Sequence, residues 1–445
     1  MTTKTKALSE DLRIQKLDGI KKNDLPIMTG VKLFYKGQER KFNVYQIPLE
    51  YLVYNPYNGR IGTKVKTFEV TSHKLNPENI NDIYIIEEFL WESKPDRNRK
   101  TLKSLLKIGQ QEYGIVTKNG YIIDGNRRAS ILNKINNNKQ EYSKNYDVRS
   151  CGYFNAIILD DNAGQKEILQ LETMYQMGRE EKLDYNATEK YLKCYQLKEV
   201  GYSLEEIADM MGESSAKNIQ KYLDILDLMD QYLDYYSYNN MYSMLDKREG
   251  QFVDLNSYEK AYRNRSGNAK TNWNPQDDDI SDMLQISFDY IRAQYEGKEF
   301  RNIARNGKST VPQSFFASKK LWEEFRDKHF EVMEEVEEYS IIDFISRADN
   351  DDEIIDSLIE RDEEWTNKVI NPLKQNLKYS KNKLDNIQEA DKPLSLLDKA
   401  KNALLEIDEN QESLYSETVL STIKEINNLA YELSKTVKKH LNPKV

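Results

Sequence analysis

Gly114-Ile115-Val116-Thr117-Lys118-Asn119-Gly120-Tyr121-Ile122-Ile123-Asp124-Gly125-Asn126-Arg127-Arg128-Ala129 sets the fold class of this 445-residue chain. Gly114 to Thr117 reads as a short strand, Lys118-Asn119-Gly120 carries the Asn-Gly hairpin signal, and Tyr121 to Ile123 returns as a second strand. After Asp124 to Arg128, the residues Ala129, Leu132 and Ile135 take up helical spacing. A strand thus runs into a tight polar turn that opens a helix. Such a turn aims backbone N–H groups and the positive end of the helix dipole outward, and the Arg127 and Arg128 guanidinium forks suit phosphate oxygens. Gly125 permits close backbone approach. The same residues also suit an ordinary β–α turn with two solvated arginines, and Asp124 suits a turn-capping role.

Upstream, Val31, Leu33 and Tyr35 alternate with polar residues, Lys36 to Glu39 form a turn, and Phe42, Val44 and Ile47 alternate on the return. Tyr54 to Arg60 is a loop by its Asn, Pro and Gly content. Pro77 opens a helix with Ile80, Ile83, Ile86 and Leu90 on one stripe, and a second short helix stops at Gly109. Downstream, Tyr153 to Leu159 is a strand, and no strong strand signal follows. The predicted class is α+β: a small mixed-sheet N-terminal domain followed by mostly α-helical domains. The expected division is a polar, poorly ordered arm at 1–28 and the sheet domain at 29–162. A helix-turn-helix domain at 163–235, a helical middle region at 236–380 and a C-terminal helical hairpin at 381–445 complete it.

The helix-turn-helix rests on a helix from Thr188 to Val200, a capping box at Ser203 and Glu206, Gly212 at a turn, and a third helix carrying Ile219, Tyr222, Leu223 and Leu226. That third helix offers Ser214, Ser215, Lys217, Asn218, Gln220 and Lys221 to phosphates or base edges. Tyr185 to Asp234 nevertheless holds five lysines and ten acids, so duplex binding by this module alone is expected to be weak. Charge is uneven elsewhere. Lys94 to Arg149 holds thirteen Lys/Arg and five Asp/Glu, while Glu331 to Glu364 holds fifteen acids and two arginines. Lys260, Arg263, Arg265 and Lys270 flank Tyr258 and Tyr262; Arg301, Arg305, Lys308, Lys319 and Lys320 flank Phe315 and Phe316. This interleaving suits nucleic acid, or else a solvated face over core aromatics. Val419, Ile423, Ile426, Ala430 and Leu433 recur at coiled-coil spacing, with Leu397, Ala400, Leu404 and Leu405 as a stripe to cover them. An intramolecular hairpin is expected first, and a homodimer on its outer face second.

Two cysteines, Cys151 and Cys194, exclude a disulfide framework, and three scattered histidines leave a zinc site or His-based triad little to draw on. No stretch approaches the ~20 apolar residues of a membrane span, and Met1 to Asp24 has no apolar core of a secretory signal. A cytoplasmic protein without membrane contact is the expectation.

Ile108-Gly109-Gln110-Gln111 to Val116, followed by Tyr121 to Ala129, resembles the ParB/sulfiredoxin superfamily. In ParB proteins a helix ending in a Gly-Gln-type turn leads to a strand, a hairpin and a Gly-Glu-Arg-Arg loop that holds the phosphates of CTP. Tyr51 to Arg60 sits where that family carries its first nucleotide-contacting box, and Leu171-Glu172-Thr173 where it carries a Glu-Asn pair that helps hold metal and phosphate. The likeness covers roughly residues 40–232. It implies a nucleoside triphosphate (CTP or ATP) with Mg²⁺ on Asp124, Gly125, Asn126, Arg127, Arg128, Arg60, Glu172 and Thr173, with Glu172 as the metal contact. It also implies DNA contact by Ser215, Lys217, Asn218, Gln220 and Lys221. The sequence departs from the family at Asn126 (usually Glu), Thr173 (usually Asn) and Gln176 (usually Arg, for which Arg179 is the nearest substitute). These departures bear on CTP specificity and hydrolysis. The loop has no cysteine, which argues against sulfinate reduction. Superfamily members with an Asp-Gly loop include nucleotide-dependent kinases and phage-defence components, so two further readings stand. One is a nucleotide-dependent enzyme of phosphoryl transfer or nucleic-acid processing in a defence or mobile-element system, with Asp124 and Glu50 as candidate catalytic carboxylates. The other is a protein–protein adaptor with a vestigial pocket.

Overall fold

Five strands form one mixed sheet in the order β1-β2-β5-β3-β4: β1 (Met28–Tyr35), β2 (Gln38–Pro48), β3 (Gly114–Val116), β4 (Ile122–Asp124) and β5 (Tyr153–Ile158). β3 and β5 run parallel, and the other neighbours are antiparallel. The computed structural model describes residues 7–161, 163–176, 186–265, 269–294, 300–336, 339–348 and 353–441. Successive strand residues serve opposite faces, as the pleat requires. Val116, Ile122, Phe154, Ala156 and Ile158 face one apolar core, while Ile115, Ile123 and Ile157 face another with Leu33, Tyr35, Phe42 and Val44.

The first face is covered by α1 (Glu10–Asn23), α2 (Gly62–Thr71), α3 (Ile80–Glu92), α4 (Pro95–Ile108) and α5 (Asn126–Asn137), with a short α6 (Lys139–Tyr142) following. The second face meets α7 (Gln165–Gln176), whose Leu171 is buried there. The segment expected as a polar arm therefore holds a helix. α1 buries Arg13, Leu17 and Ile20, at positions i, i+4 and i+7. The inner stripe escaped an apolar reading because one of its members is an arginine. Arg13 Nε donates to the Asn119 carbonyl at 2.9 Å and Nη2 to Glu78 Oε1 at 2.6 Å, which satisfies the charge it buries.

The described residues that follow are largely helical, so the overall class is α+β. α8 (Ala187–Glu199), α9 (Leu204–Met211) and α10 (Ala216–Tyr235) form a tri-helical unit with Cys194, Leu197, Ile207, Met211, Ile219 and Leu223 inside. The Ser203–Glu206 capping box is present in both halves, and Gly212 ends α9 at φ +62°. α11 (Glu249–Arg263), α12 (Asp277–Arg292), α13 (Arg301–Ala304), α14 (Lys319–Glu334), α15 (Ile341–Ile345), α16 (Ile354–Leu405) and α17 (Glu417–Leu441) follow.

The expected boundary at 235 falls inside continuous packing. The second half of α10, from Ile225 to Leu233, shares one apolar core with α11, α12, α14 and α16 as far as Leu384. The boundary at 380 falls inside α16, which runs unbroken through Pro372 and Pro393. The expected terminal hairpin is also corrected. Leu397, Leu404, Leu405, Ile423, Ile426 and Leu433 are all exposed, and no residue of α17 is buried, so the two stripes do not cover each other. Tyr258, Tyr262, Phe315 and Phe316 are core residues, closed to base stacking, and Lys260, Arg263 and Arg301 are paired with Asp224, Glu259 and Asp254. Among the described residues no helix is long and apolar enough to cross a membrane.

Candidate functional site

The Asp124–Arg128 turn forms as its residues dictate. Gly125 is the N-cap of α5 at φ +101° and ψ 14°, in the left-handed region, and no side chain caps this helix end. A Cβ on Gly125 would stand 2.6 Å from Phe154 Cζ, and one on Gly114 would stand 2.4 Å from the same atom. The close approach that Gly125 permits is thus that of the buried Phe154 ring beneath the turn.

The five loop residues divide in role. Asn126 is buried: its Oδ1 accepts from the Asn55 amide at 2.8 Å, and its Nδ2 donates to the Ile122 carbonyl at 2.9 Å. It is a brace between the 54–61 loop and β4, and its amide is not presented to a ligand. Arg127 and Arg128 are half-buried at the first turn of α5, with Arg128 Nη1 donating to the Glu112 carbonyl at 2.6 Å. Gln110 closes the α4–β3 connection by a two-way bond to the Asn155 backbone, at 2.8 Å each way, so the Gly-Gln signal has a structural origin here.

The 54–61 loop is built from two Asx turns: Asn55 Oδ1 accepts from Tyr57 N and Asn58 Oδ1 from Arg60 N, both at 3.0 Å. Its other anchor is Glu172 on α7. Glu172 Oε1 accepts from the Gly59 amide at 2.6 Å, and Oε2 lies 2.9 Å from Lys193 Nζ on α8; both side chains are 1 % exposed. Glu172 therefore ties the loop to α7 and α8 with both oxygens engaged. Thr173 Oγ1 donates to Leu169 within its own helix at 2.7 Å. These two residues do not fit a metal site as arranged, and among the described residues no cluster of three His, Cys, Asp or Glu could hold an ion. Arg179 lies outside the described residues.

A cavity of about 540 Å³ opens between β4, the 55–57 segment, α7 and α8. Ile122, Ile123, Ile168 and Leu169 give it apolar walls, Tyr57 and Tyr121 add rings, and Asn55, Gln165, Gln196, Lys74 and Glu172 supply polar groups. Burial and then Glu69 push the Tyr57 hydroxyl up to about 12, and burial raises Tyr121, so both remain neutral donors at physiological pH. Of the sequence-predicted site residues, only Glu172 lines this cavity; Asp124 follows its wall residue Ile123 directly. Glu50 is exposed and lies three residues before Val53, whose parallel bridge to Tyr121 puts Asp124 three residues beyond. The two proposed catalytic carboxylates thus sit to opposite sides of that bridge and do not form a pair.

Beside the loop lies a second buried acid, on the first turn of α8. Burial pushes Glu189 up to about 8 against the lowering pull of the Asn186 amide, Arg60, Lys94 and Thr63. Reading the sequence missed Lys193, Glu189 and the cavity residues Lys74, Gln165 and Gln196. Asn186-Ala187-Thr188-Glu189 is a readable capping-box signal; the others become neighbours only through tertiary packing.

In the helix-turn-helix, Lys217, Gln220 and Lys221 are exposed. Asn218 Nδ2 is held by Glu213 and Ser214 at 3.1 Å each, and Gln220 Nε2 by Asp224 at 2.9 Å. Ser215 is the half-exposed N-cap of α10 and makes no side-chain cap bond. Cys151 and Cys194 are free and buried, with burial raising the Cys194 thiol to about 12, so neither is a nucleophile at neutral pH. No protein-family model matches the chain, and no curated protein matches it.

Proposed function

We propose that this is a ParB-like nucleotide-regulated DNA-binding protein, in which a nucleoside triphosphate occupies the cavity and sends its phosphates toward the first turn of α5. The observation that carries this reading is the cavity of about 540 Å³ whose wall runs along β4 to Ile123, directly before the Asp124–Arg128 turn. That volume is within the usual 300–1,000 Å³ of ligand sites, and apolar walls with a few amides suit a base and ribose. The uncapped α5 terminus and two guanidinium groups suit the phosphates. Mg²⁺, if used, would arrive on the phosphates, because Glu172 is engaged by Gly59 and Lys193.

The loop that lines the cavity is tied through Glu172 to α7 and α8, so occupancy can be felt by the helix-turn-helix. Lys217 and Lys221 are its duplex contacts in this reading. A second copy of the chain is the proposed partner for α17: its uncovered seam from Val419 to Leu433 continues to Val437 in the same three–four spacing. Titration calorimetry of CTP, ATP and GTP, with and without Mg²⁺, tests the nucleotide reading. Product analysis of the same samples separates a binder from a phosphoryl-transfer enzyme. A chain that binds none of the three overturns it.

A further inference from the structure

Helix α4 carries five bases, Arg97, Arg99, Lys100, Lys103 and Lys107, and one acid, Asp96. Its inner face is Asn98, Leu102, Leu105 and Leu106, buried or half-buried against the domain. The opposite face presents Lys100, Lys103 and Lys107, all exposed at i, i+3 and i+7, and Arg99 beside them is tied to Asp96 at 2.7 Å. Part of the basic excess of the sequence thus reaches the surface as a stripe about 10 Å long at 1.5 Å per residue. The helix-turn-helix is the reverse case: its net charge is -5 from five lysines and ten acids between Tyr185 and Asp234. A duplex is held chiefly by phosphate neutralisation, which that module cannot supply alone.

The start of α4 lies within electrostatic range of the helix-turn-helix. Lys94, at the start of α4, is near enough to act on Glu189 in the first turn of α8. The next α8 residue, Lys190, is paired with Glu213 in the turn that opens α10. Charges at the start of α4 and in the turn before α10 thus both act on the first turn of α8.

We propose that the Lys100/Lys103/Lys107 face of α4 is a phosphate-contact surface for duplex DNA, supplying the backbone charge that the helix-turn-helix lacks. This rests on the DNA-binding reading above. Duplex nucleic acid is favoured over an acidic protein partner because the stripe carries no aromatic side chain, and the exposed Ile108 beside Lys107 is a single apolar residue at the helix end, too little to anchor a protein hot spot. Backbone contacts position a reader without specifying sequence, so the stripe contributes affinity and not site preference.

The test measures binding of the full chain to a labelled 30-base-pair mixed duplex (a length chosen to span about three helical turns) by anisotropy across a salt series, with nucleotide present. The variants are Lys100→Glu/Lys103→Glu/Lys107→Glu, the matching Lys→Arg triple, and Lys217→Glu/Lys221→Glu, each checked by far-UV circular dichroism. Three lost phosphate contacts should lower the slope of log K against log salt by about 2.7. The arginine triple should keep the wild-type slope. An unchanged slope in the glutamate triple, with binding lost in Lys217→Glu/Lys221→Glu, overturns the α4 surface and leaves the helix-turn-helix reading standing. Equal competition by polyglutamate at matched charge overturns the preference for duplex. No duplex binding by wild type overturns both readings together.

Discussion

Lys193→Met should be among the most destabilising single changes in this chain. Lys193 Nζ and Glu172 Oε2 are 2.9 Å apart with both side chains 1 % exposed, and Glu172 Oε1 also holds the Gly59 amide. Removing one partner leaves the other charge buried and uncompensated, at a cost of about 3–5 kcal/mol. Glu172→Gln should cost a similar amount, because it strands the ammonium while an amide oxygen can still accept from Gly59. The double variant removes both charges and keeps that acceptor, so it should lie within about 1.5 kcal/mol of wild type, since replacing a buried pair by neutral groups is often close to neutral. The cycle therefore predicts a coupling of about 4.5 kcal/mol or more. Urea unfolding followed by circular dichroism supplies the global term, and hydrogen exchange of a peptide covering 55–61 reports the local one. Exchange there should quicken in Lys193→Met and recover in the double variant. Single variants that each cost under about 1 kcal/mol and add without coupling would refute the claim that this pair locks the loop to the helices.

Gly125→Ala should destabilise by about 2–4 kcal/mol, combining a left-handed φ with a Cβ 2.6 Å from Phe154 Cζ, as thermal unfolding will show. Glu189 has a folded pKa raised from 4.5 to about 8, so the stability tied to its protonated form is complete below the unfolded value and is lost as pH rises through about 8. Glu189→Gln should therefore match wild type near pH 5 and exceed its Tm at pH 9, by up to roughly 5 kcal/mol in free energy at 1.36 kcal/mol per pH unit; an unchanged difference across that range would count against a buried acid. Light scattering of the full chain should give twice the mass of one chain, and Ile423→Asp, with helicity intact, should give the single mass; a monomeric wild type would remove the proposed seam contact.

The sheet was legible because its strands obey a two-residue period on both faces: Ile115 and Val116, Ile122 and Ile123, and Ile157 and Ile158 each divide between two cores. The tri-helical unit was legible through local signals, a capping box and a left-handed glycine, which need no tertiary information. α1 was not, because Arg13 fills a position where the stripe would show an apolar residue, and its partners Asn119 and Glu78 are distant in sequence. Asn126 illustrates the limit at the site. Its place in the motif suggested a ligand contact, whereas packing against Asn55 and Ile122 makes it a brace. Glu172 was singled out as a metal and phosphate contact, whereas in the structure it is engaged by Gly59 and by Lys193, which lies on the next helix and is brought to it only by the fold. The α17 seam was read correctly as apolar and wrongly as covered, since periodicity reports that a helix has a sticky face and not which chain meets it.

Calorimetric affinity for the preferred nucleotide in wild type and Arg127→Ala tests the central claim most directly. Loss of a charge-assisted phosphate contact is worth about 1.5–3 kcal/mol, so affinity should fall by roughly 10- to 150-fold while circular dichroism stays the same. Equal affinity in the two proteins would contradict the placement of phosphates at the first turn of α5.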